Sequence, residues 1–363
     1  MKKVIFLNAS IILMFTACHK STGIEVGQGF SKIEQQVITD FVNKTALPQY
    51  DSLATAATGL NNAAINLQSN PTDENLKATQ AAWKHIRKVW EQCEGFLIGP
   101  VESFDYDPNT DTWPTDHTQM DSLLASNNPL QLNDVRNLPQ NLRGYHPIEY
   151  LIFRDGEYNA RAAASFTAKE LQYLSSLSSD ILNNNVQPLL QTWISSPVNF
   201  EQSIFNAGAS DNDVYPTKLL FFMDICGDNG MAAICNEVGS NDPDGKMYSP
   251  FFNKDSTITE SPYSDNSLID FKNNIIGAQN VYLGLNGGLG IKDLVSAKNK
   301  NLDNRIQAQF AAAISSFNNI TERYEQAIFD QRVQIQQTLT QLQALQSLLK
   351  NGLSDFLAQN IKD

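Results

Sequence analysis

Histidine and cysteine are scarce in this chain, four of each in 363 residues. A metal cluster built on repeated Cys or His pairs is therefore excluded, and any site must lean on oxygen donors. Basic residues are the next shortage, 26 against 39 acidic, giving a net charge of −13. Such a balance repels the phosphates that dominate nucleic-acid affinity, so nucleic acid is not an expected partner. Long apolar runs are missing too. Residues 4–17 come nearest, and they fall short of the roughly 18 to 20 residues that a spanning helix needs. Alternating strand patterns are rare, which argues against β architectures. With 19 Gly, 14 Pro and 42% hydrophobic residues, collagenous and disordered classes are out, and the length exceeds one ordinary core, so two domains are expected.

What the chain does have begins at its N-terminus. Lys2 and Lys3 precede the apolar stretch, which ends in the small residues Thr16 and Ala17 before Cys18. That is the layout of a secretory signal. It resembles a bacterial lipoprotein signal, in which the Cys becomes the lipidated first residue, although Phe15 stands where Leu is commonest. The reading is a signal over 1–17, lipidation at Cys18 and a tether over 18–29. It predicts a membrane partner through the lipid and a place in the cell envelope, facing the periplasm or the surface. Cys93 falls in a helical pattern between Trp90 and Phe96 and reads as core, whereas Cys226 and Cys235 flank a turn and could close a short loop.

From Phe30 the apolar period is helical. Ile33, Val37 and Phe41 mark one stripe, Leu53, Leu60, Ala64 and Leu67 a second, and Leu76, Trp83, Ile86 and Trp90 a third, with breaks expected near Pro48 and Pro71. Residues 99–139 carry scattered Pro and Asp and read as an ordered loop with one short helix around Met120. Residues 227–263 read as turn-rich. The Gly-rich stretch 284–290 lacks the Lys and the preceding strand of a phosphate loop and reads as a hinge between helices. The expected fold is all-α: two antiparallel helical bundles, 30–200 and 201–363, joined near 195–212.

The most informative segment is Gly144-Tyr145-His146-Pro147-Ile148-Glu149. A His and a carboxylate three residues apart on a helix face can converge on a metal or a proton. The proline allows another reading, with His146 as N-cap and Glu149 as a capping-box residue. Three further stretches accompany the Gly-x-His-x-x-Glu pattern in order. They are Arg87, Trp90 and Glu94; Trp113-Pro114-Thr115-Asp116 with Asp121; and Tyr263-Ser264-Asp265-Asn266-Ser267 with Asp270, Gly277 and Asn280-Val281-Tyr282-Leu283-Gly284. Together they resemble the imelysin family of bacterial envelope proteins over roughly residues 30–360.

The resemblance implies a duplicated pair of helical bundles with a groove walled by Arg87, Glu94, Trp113, Asp116, Gly144, His146, Glu149, Ser264, Asp265 and Asn266. It also implies a link to iron uptake, with other iron-uptake components as partners, while founding members were described as peptidases. Where some members carry His near the Ser-Asp-Asn segment, this chain has Glu260 and Leu268, which thins one set of ligands.

His146, Glu149 and Glu94, with Asp116, form the candidate set for iron or zinc, since oxygen donors with one imidazole suit iron. The alternative is a metallopeptidase with Glu149 as general base, but the usual zinc protease pairs two His at i and i+4, and His85, His117 and His146 lie on distant segments. A metal-free module for polysaccharide or protein is the third reading. Arg87 and Glu94, seven apart, share a face as an internal ion pair or as site residues. Asp105, Asp107, Asn109 and Asp111 alternate toward Asp116 like a calcium loop, yet Thr110 replaces the turn Gly and Asp the bidentate Glu, so a solvated acidic loop is preferred to calcium.

Overall fold

The central helix is built by local chemistry that can be followed residue by residue. Thr72 Oγ1 accepts the Asn75 N–H at 3.2 Å, and Asp73 and Glu74 place negative charge in the first turn, where exposed N–H groups favour it. The Asp73–Cys93 helix then buries Leu76, Trp83, Ile86, Arg87 and Trp90 at three- and four-residue spacing. It packs against the helices Leu47–Ser69, Tyr145–Phe153 and Ser267–Leu283, so it is enclosed on several sides.

The computed structural model describes residues 29–154, 161–227, 229–243 and 245–362. The expected signal, Cys18 and the tether up to residue 28 lie outside the described residues. Every regular element among the described residues is helical, so the protein is all-α, as the apolar period predicts. None of these helices is long and apolar enough to cross a membrane.

The Ser267–Leu283 helix approaches the end of the Asp73–Cys93 helix backbone to backbone. A Cβ on Gly277 would stand 2.4 Å from the Gln92 carbonyl oxygen, and one on Gly95 would stand 2.5 Å from the Gly277 carbonyl carbon. Only glycines allow that distance. The apolar core is continuous across residue 200; Phe41, for example, meets Phe221 edge to face with ring centres 5.6 Å apart.

Several sequence expectations are corrected here. Pro48 does not break its helix. The chain stays helical from Phe30 to Ser69 because a π turn, Phe41–Ala46, shifts the register just before the residue that lacks an N–H. Pro188 follows a second π turn, Ile181–Val186, in the same way. Residues 99–139 hold four short helices rather than one: Pro100–Ser103, Tyr106–Asp111, His117–Ala125 and Leu132–Arg136. The turn-rich 227–263 contains Met231–Gly239 and Tyr248–Asn253. The 284–290 turn is fastened rather than hinged, since Asp40 Oδ2 accepts the Leu289 N–H at 2.8 Å and the Asn286 side chain donates to the Lys44 carbonyl at 2.8 Å. Cys93, Cys226 and Cys235 are buried free thiols, and burial pushes each of them upward in pKa.

Candidate metal centre

Gly144 determines where the site forms. Its φ is +82°, and a Cβ there would lie 2.1 Å from the Thr110 carbonyl oxygen. The bare backbone lets the start of the Tyr145–Phe153 helix rest on the end of the Tyr106–Asp111 helix, and that contact brings Asp111 to His146. The N-cap is thus Gly144, not His146. Pro147 is the third helical residue, where a missing N–H costs nothing because first-turn donors have no intrahelical partner.

Glu149 is not a capping residue either. It is fully buried, and its Oε1 accepts from Tyr263 N at 3.0 Å, Ser264 N at 2.8 Å and Ser264 Oγ at 2.7 Å. The carboxylate clamps the 263–264 backbone to this helix. These three donors fix Oε1 as a structural anchor and leave Oε2 turned toward His146.

His146 is 1% exposed. Its Nε2 lies 3.0 Å from Asp111 Oδ1 and 3.8 Å from Glu260 Oε1, and its Nδ1 lies 3.7 Å from Glu149 Oε2. Among the described residues, neither ring nitrogen is aligned for a hydrogen bond, and Glu149 Oε2 and Glu260 Oε2 have no hydrogen-bond partner. Buried polar atoms normally have one. Burial opposes charge on the ring, but Asp111 and Glu149 beside it push its pKa up to about 9. The Trp113 ring covers the imidazole with centres 4.8 Å apart.

Arg87 is buried completely at the centre of the acidic cluster. Its guanidinium contacts Glu91 and Asp111, reaches Glu260 Oε1 at 3.0 Å and faces Asp270 Oδ1 at 3.9 Å. Trp90 Nε1 donates to Asp111 Oδ2 at 2.7 Å. Burial alone would raise the Asp111 pKa, yet Arg87 and His146 hold it well below the usual carboxylate range. Glu94 is pushed the other way by burial and by the nearby Glu91. Arg87 pairs with Glu91, one turn along, and the Asn274 amide donates to both Glu91 and Glu94.

Above this cluster opens a cavity of about 450 Å³, walled by Glu94, Asp107, Asp111, Trp113, Glu237, Lys246 and Glu260 among others. Burial and the neighbouring Asp111 raise Asp107 to about 7. Asp111, His146 and Glu260 each present a ligand atom within 4.8 Å of the others, as do Glu91, Glu94 and Asp111. Asp111 belongs to both groups. Oxygen donors with one imidazole form a set suited to a hard or borderline cation, and the unpartnered His146 and Glu260 atoms fit such an occupant.

The remaining expected residues fall around this centre. Ser264 holds Glu149; Asn266 Nδ2 donates to Asp270 Oδ1 at 2.6 Å; Asp265 pairs with Arg323 at 3.3 Å. Asp116 is not brought in, because its side chain caps the His117–Ala125 helix through the Gln119 N–H at 2.9 Å. The calcium-like spacing is dispersed by the Tyr106–Asp111 helix, which turns Asp111 inward while Asp116 faces out. His117 meets the Tyr263 hydroxyl, 2.7 Å from Nε2, and His85 is exposed, so neither joins His146. Sequence reasoning missed Glu91, Lys246 and Asp270 as site residues, and it met Asp111 and Glu260 only as a loop carboxylate and a missing His. The one available signal was Glu91, four residues after Arg87.

Comparison with known proteins bears on the fold that carries these residues. Residues 46–351 match the family model described as Imelysin. Iron-regulated protein A of Synechococcus elongatus is 32% identical over 278 residues, covering 76% of this chain and 69% of that protein. Among solved structures, an iron-regulated protein A precursor from Parabacteroides distasonis superposes with a TM-score of 0.81 at 26% identity, over 94% of this chain and 97% of that one. An imelysin-like protein from Psychrobacter arcticum shares the fold, with a TM-score of 0.67 at 14% identity over 92% and 98% of the two chains.

Proposed function

The chain belongs to the imelysin family, and on that premise we propose that it is a metal-binding protein of the bacterial cell envelope that serves iron handling. The observation that carries the reading is that His146 and Glu260, with buried atoms that lack hydrogen-bond partners among the described residues, stand with Asp111 with ligand atoms within 4.8 Å of one another. Asp111, His146 and Glu260 would hold the cation at the cavity floor, with Glu91 and Glu94 beside Asp111 as further oxygen donors. A cation bound there would neutralise carboxylates that Arg87 and Lys246 only partly balance. Glu149 ties the Tyr145–Phe153 helix that carries His146 to the 263–264 segment, and Trp113 covers the imidazole. The names of two relatives point to iron regulation, which favours iron over zinc as the cargo.

The lipid at Cys18 would fix the protein to a membrane, since acyl chains supply an affinity that an acidic domain lacks. Cys18→Ser is expected to release the protein into a soluble fraction or leave its signal uncleaved; unchanged membrane association would show another anchor. Isothermal titration of the purified protein with ferrous, ferric and zinc ions tests the site. Binding by the wild type and its loss in His146→Ala are expected; no binding by the wild type, or equal binding by the variant, overturns the reading.

A further inference from the structure

Lys246 stands where the cavity meets the acidic floor. Its Nζ lies 3.0 Å from Glu237 Oε1 and 3.4 Å from Glu260 Oε1, and its side chain is 16% exposed. The ammonium thus bridges one wall of the cavity, the Met231–Gly239 helix, to a carboxylate on the floor. Glu260 is the same group that stands with His146 and Asp111 in the candidate ligand set, and its Oε1 is the oxygen that Lys246 and Arg87 both hold.

The two cations differ in kind. Arg87 projects from the middle of a buried helix, has no exposure, and its planar fork is engaged by Glu91, Asp111 and Glu260. Lys246 sits between the Met231–Gly239 and Tyr248–Asn253 helices on a four-carbon stem with rotatable bonds, and its second partner, Glu237, is 45% exposed at the cavity rim. It can leave Glu260 without leaving an anion.

We propose that Lys246 is a tethered counter-cation that occupies Glu260 when no metal is bound, and that metal binding displaces it toward Glu237. This inference rests on the metal-binding reading above and adds to it a residue that sets affinity. In the empty state the ammonium offsets part of the charge on the acidic floor, and an incoming cation must compete with an ammonium held at high local concentration. The consequence is a reversible site whose affinity is lower than its donor set alone would give, as suits a protein that passes its cargo on.

The test is isothermal titration of the full-length protein with ferrous ion and with zinc ion, comparing the wild type, Lys246→Met, Lys246→Arg and His146→Ala. Removing a hydrogen-bonded charge from Glu260 should tighten both ions about tenfold in Lys246→Met. Lys246→Arg keeps the competitor and should bind no more tightly than the wild type. If the wild type does not bind either ion, the metal-binding reading fails. If the wild type binds and His146→Ala does not, but Lys246→Met binds equally or more weakly, or Lys246→Arg binds as tightly as Lys246→Met is predicted to, the counter-cation is refuted. Should Lys246→Met fail to fold, Lys246→Gln, which removes the charge and keeps a polar head beside Glu260, takes its place with the same expected tightening; binding equal to or weaker than that of the wild type overturns the proposal.

Discussion

Glu149 and Ser264 are joined twice, through the backbone N–H at 2.8 Å and the hydroxyl at 2.7 Å, across 115 residues of chain. The carboxylate of the Gly-x-His-x-x-Glu segment therefore fastens the two parts of the sequence that carry the most distinctive patterns. His146, three residues earlier, lies with Nε2 3.0 Å from Asp111 Oδ1.

The first prediction follows from that clamp. Glu149→Ala strands three donors in a buried place, for a loss of about 3 kcal/mol, whereas Glu149→Gln keeps an acceptor oxygen and should cost about 1 kcal/mol. Urea denaturation midpoints measure both. A loss in Glu149→Ala no larger than the ~1 kcal/mol of an N-terminal cap would contradict the clamp.

Gly144 supplies a test of the backbone contact. At φ +82° and 2.1 Å from the Thr110 oxygen, Gly144→Ala should destabilise by about 2 kcal/mol or more and weaken metal binding along with it. Gly59, in the interior of the Leu47–Ser69 helix with nothing near its missing Cβ, is the contrast. Gly59→Ala should raise stability by about 0.5 to 1 kcal/mol. Similar melting temperatures for the two variants would be incompatible with the geometry described.

The pH dependence of binding follows from His146. With its pKa pushed up to about 9, the ring is protonated at neutral pH, and a metal must displace that proton to reach the nitrogen. Apparent affinity should rise about tenfold per pH unit between 7 and 9 and level off above. Titration calorimetry in buffers of different ionisation enthalpy counts the released proton directly; a flat affinity over that range would remove His146 from the ligand set.

Glu325 gives an independent stability test. Burial raises its carboxyl to about 7 from an ordinary value of 4.5, so the folded protein binds this proton more tightly than the unfolded chain does. The stabilisation is complete below pH 4.5 and is lost as pH rises through 7. Glu325→Gln keeps an acceptor for the Ser267 hydroxyl, which lies 2.7 Å from Oε1, and carries no charge. It should be more stable than the wild type by about 3 kcal/mol at pH 8 and equal to it near pH 4. A constant difference across that range would refute the assignment.

Much of this protein was legible in its sequence because helical periodicity is a local property. Leu76, Trp83, Ile86 and Trp90 fall on one face whatever surrounds them, and their stripe gave both the helix and its buried side. Gly144, His146 and Glu149 could be singled out for the same reason, since three residues of spacing define a face. Continuity through Pro48 was not legible, because a π turn depends on how the whole helix packs and not on the residues in the turn.

The metal centre itself was decided by tertiary structure. Asp111 looked like one carboxylate in an acidic loop until the contact between Gly144 and the Thr110 backbone turned it inward. Glu260 and Lys246 come from segments without helical period, so no spacing rule could place them beside Arg87. The partners of Arg87 also come from outside its helix: beside Glu91, one turn along, stand Asp111, Glu260 and Asp270 from other segments. Sequence alone determines which faces are apolar and which residues share them, because those follow from the geometry of a single helix. Which charged groups become neighbours depends on how the helices cross, and in this protein the crossings are set by close backbone approaches at Gly95, Gly144 and Gly277.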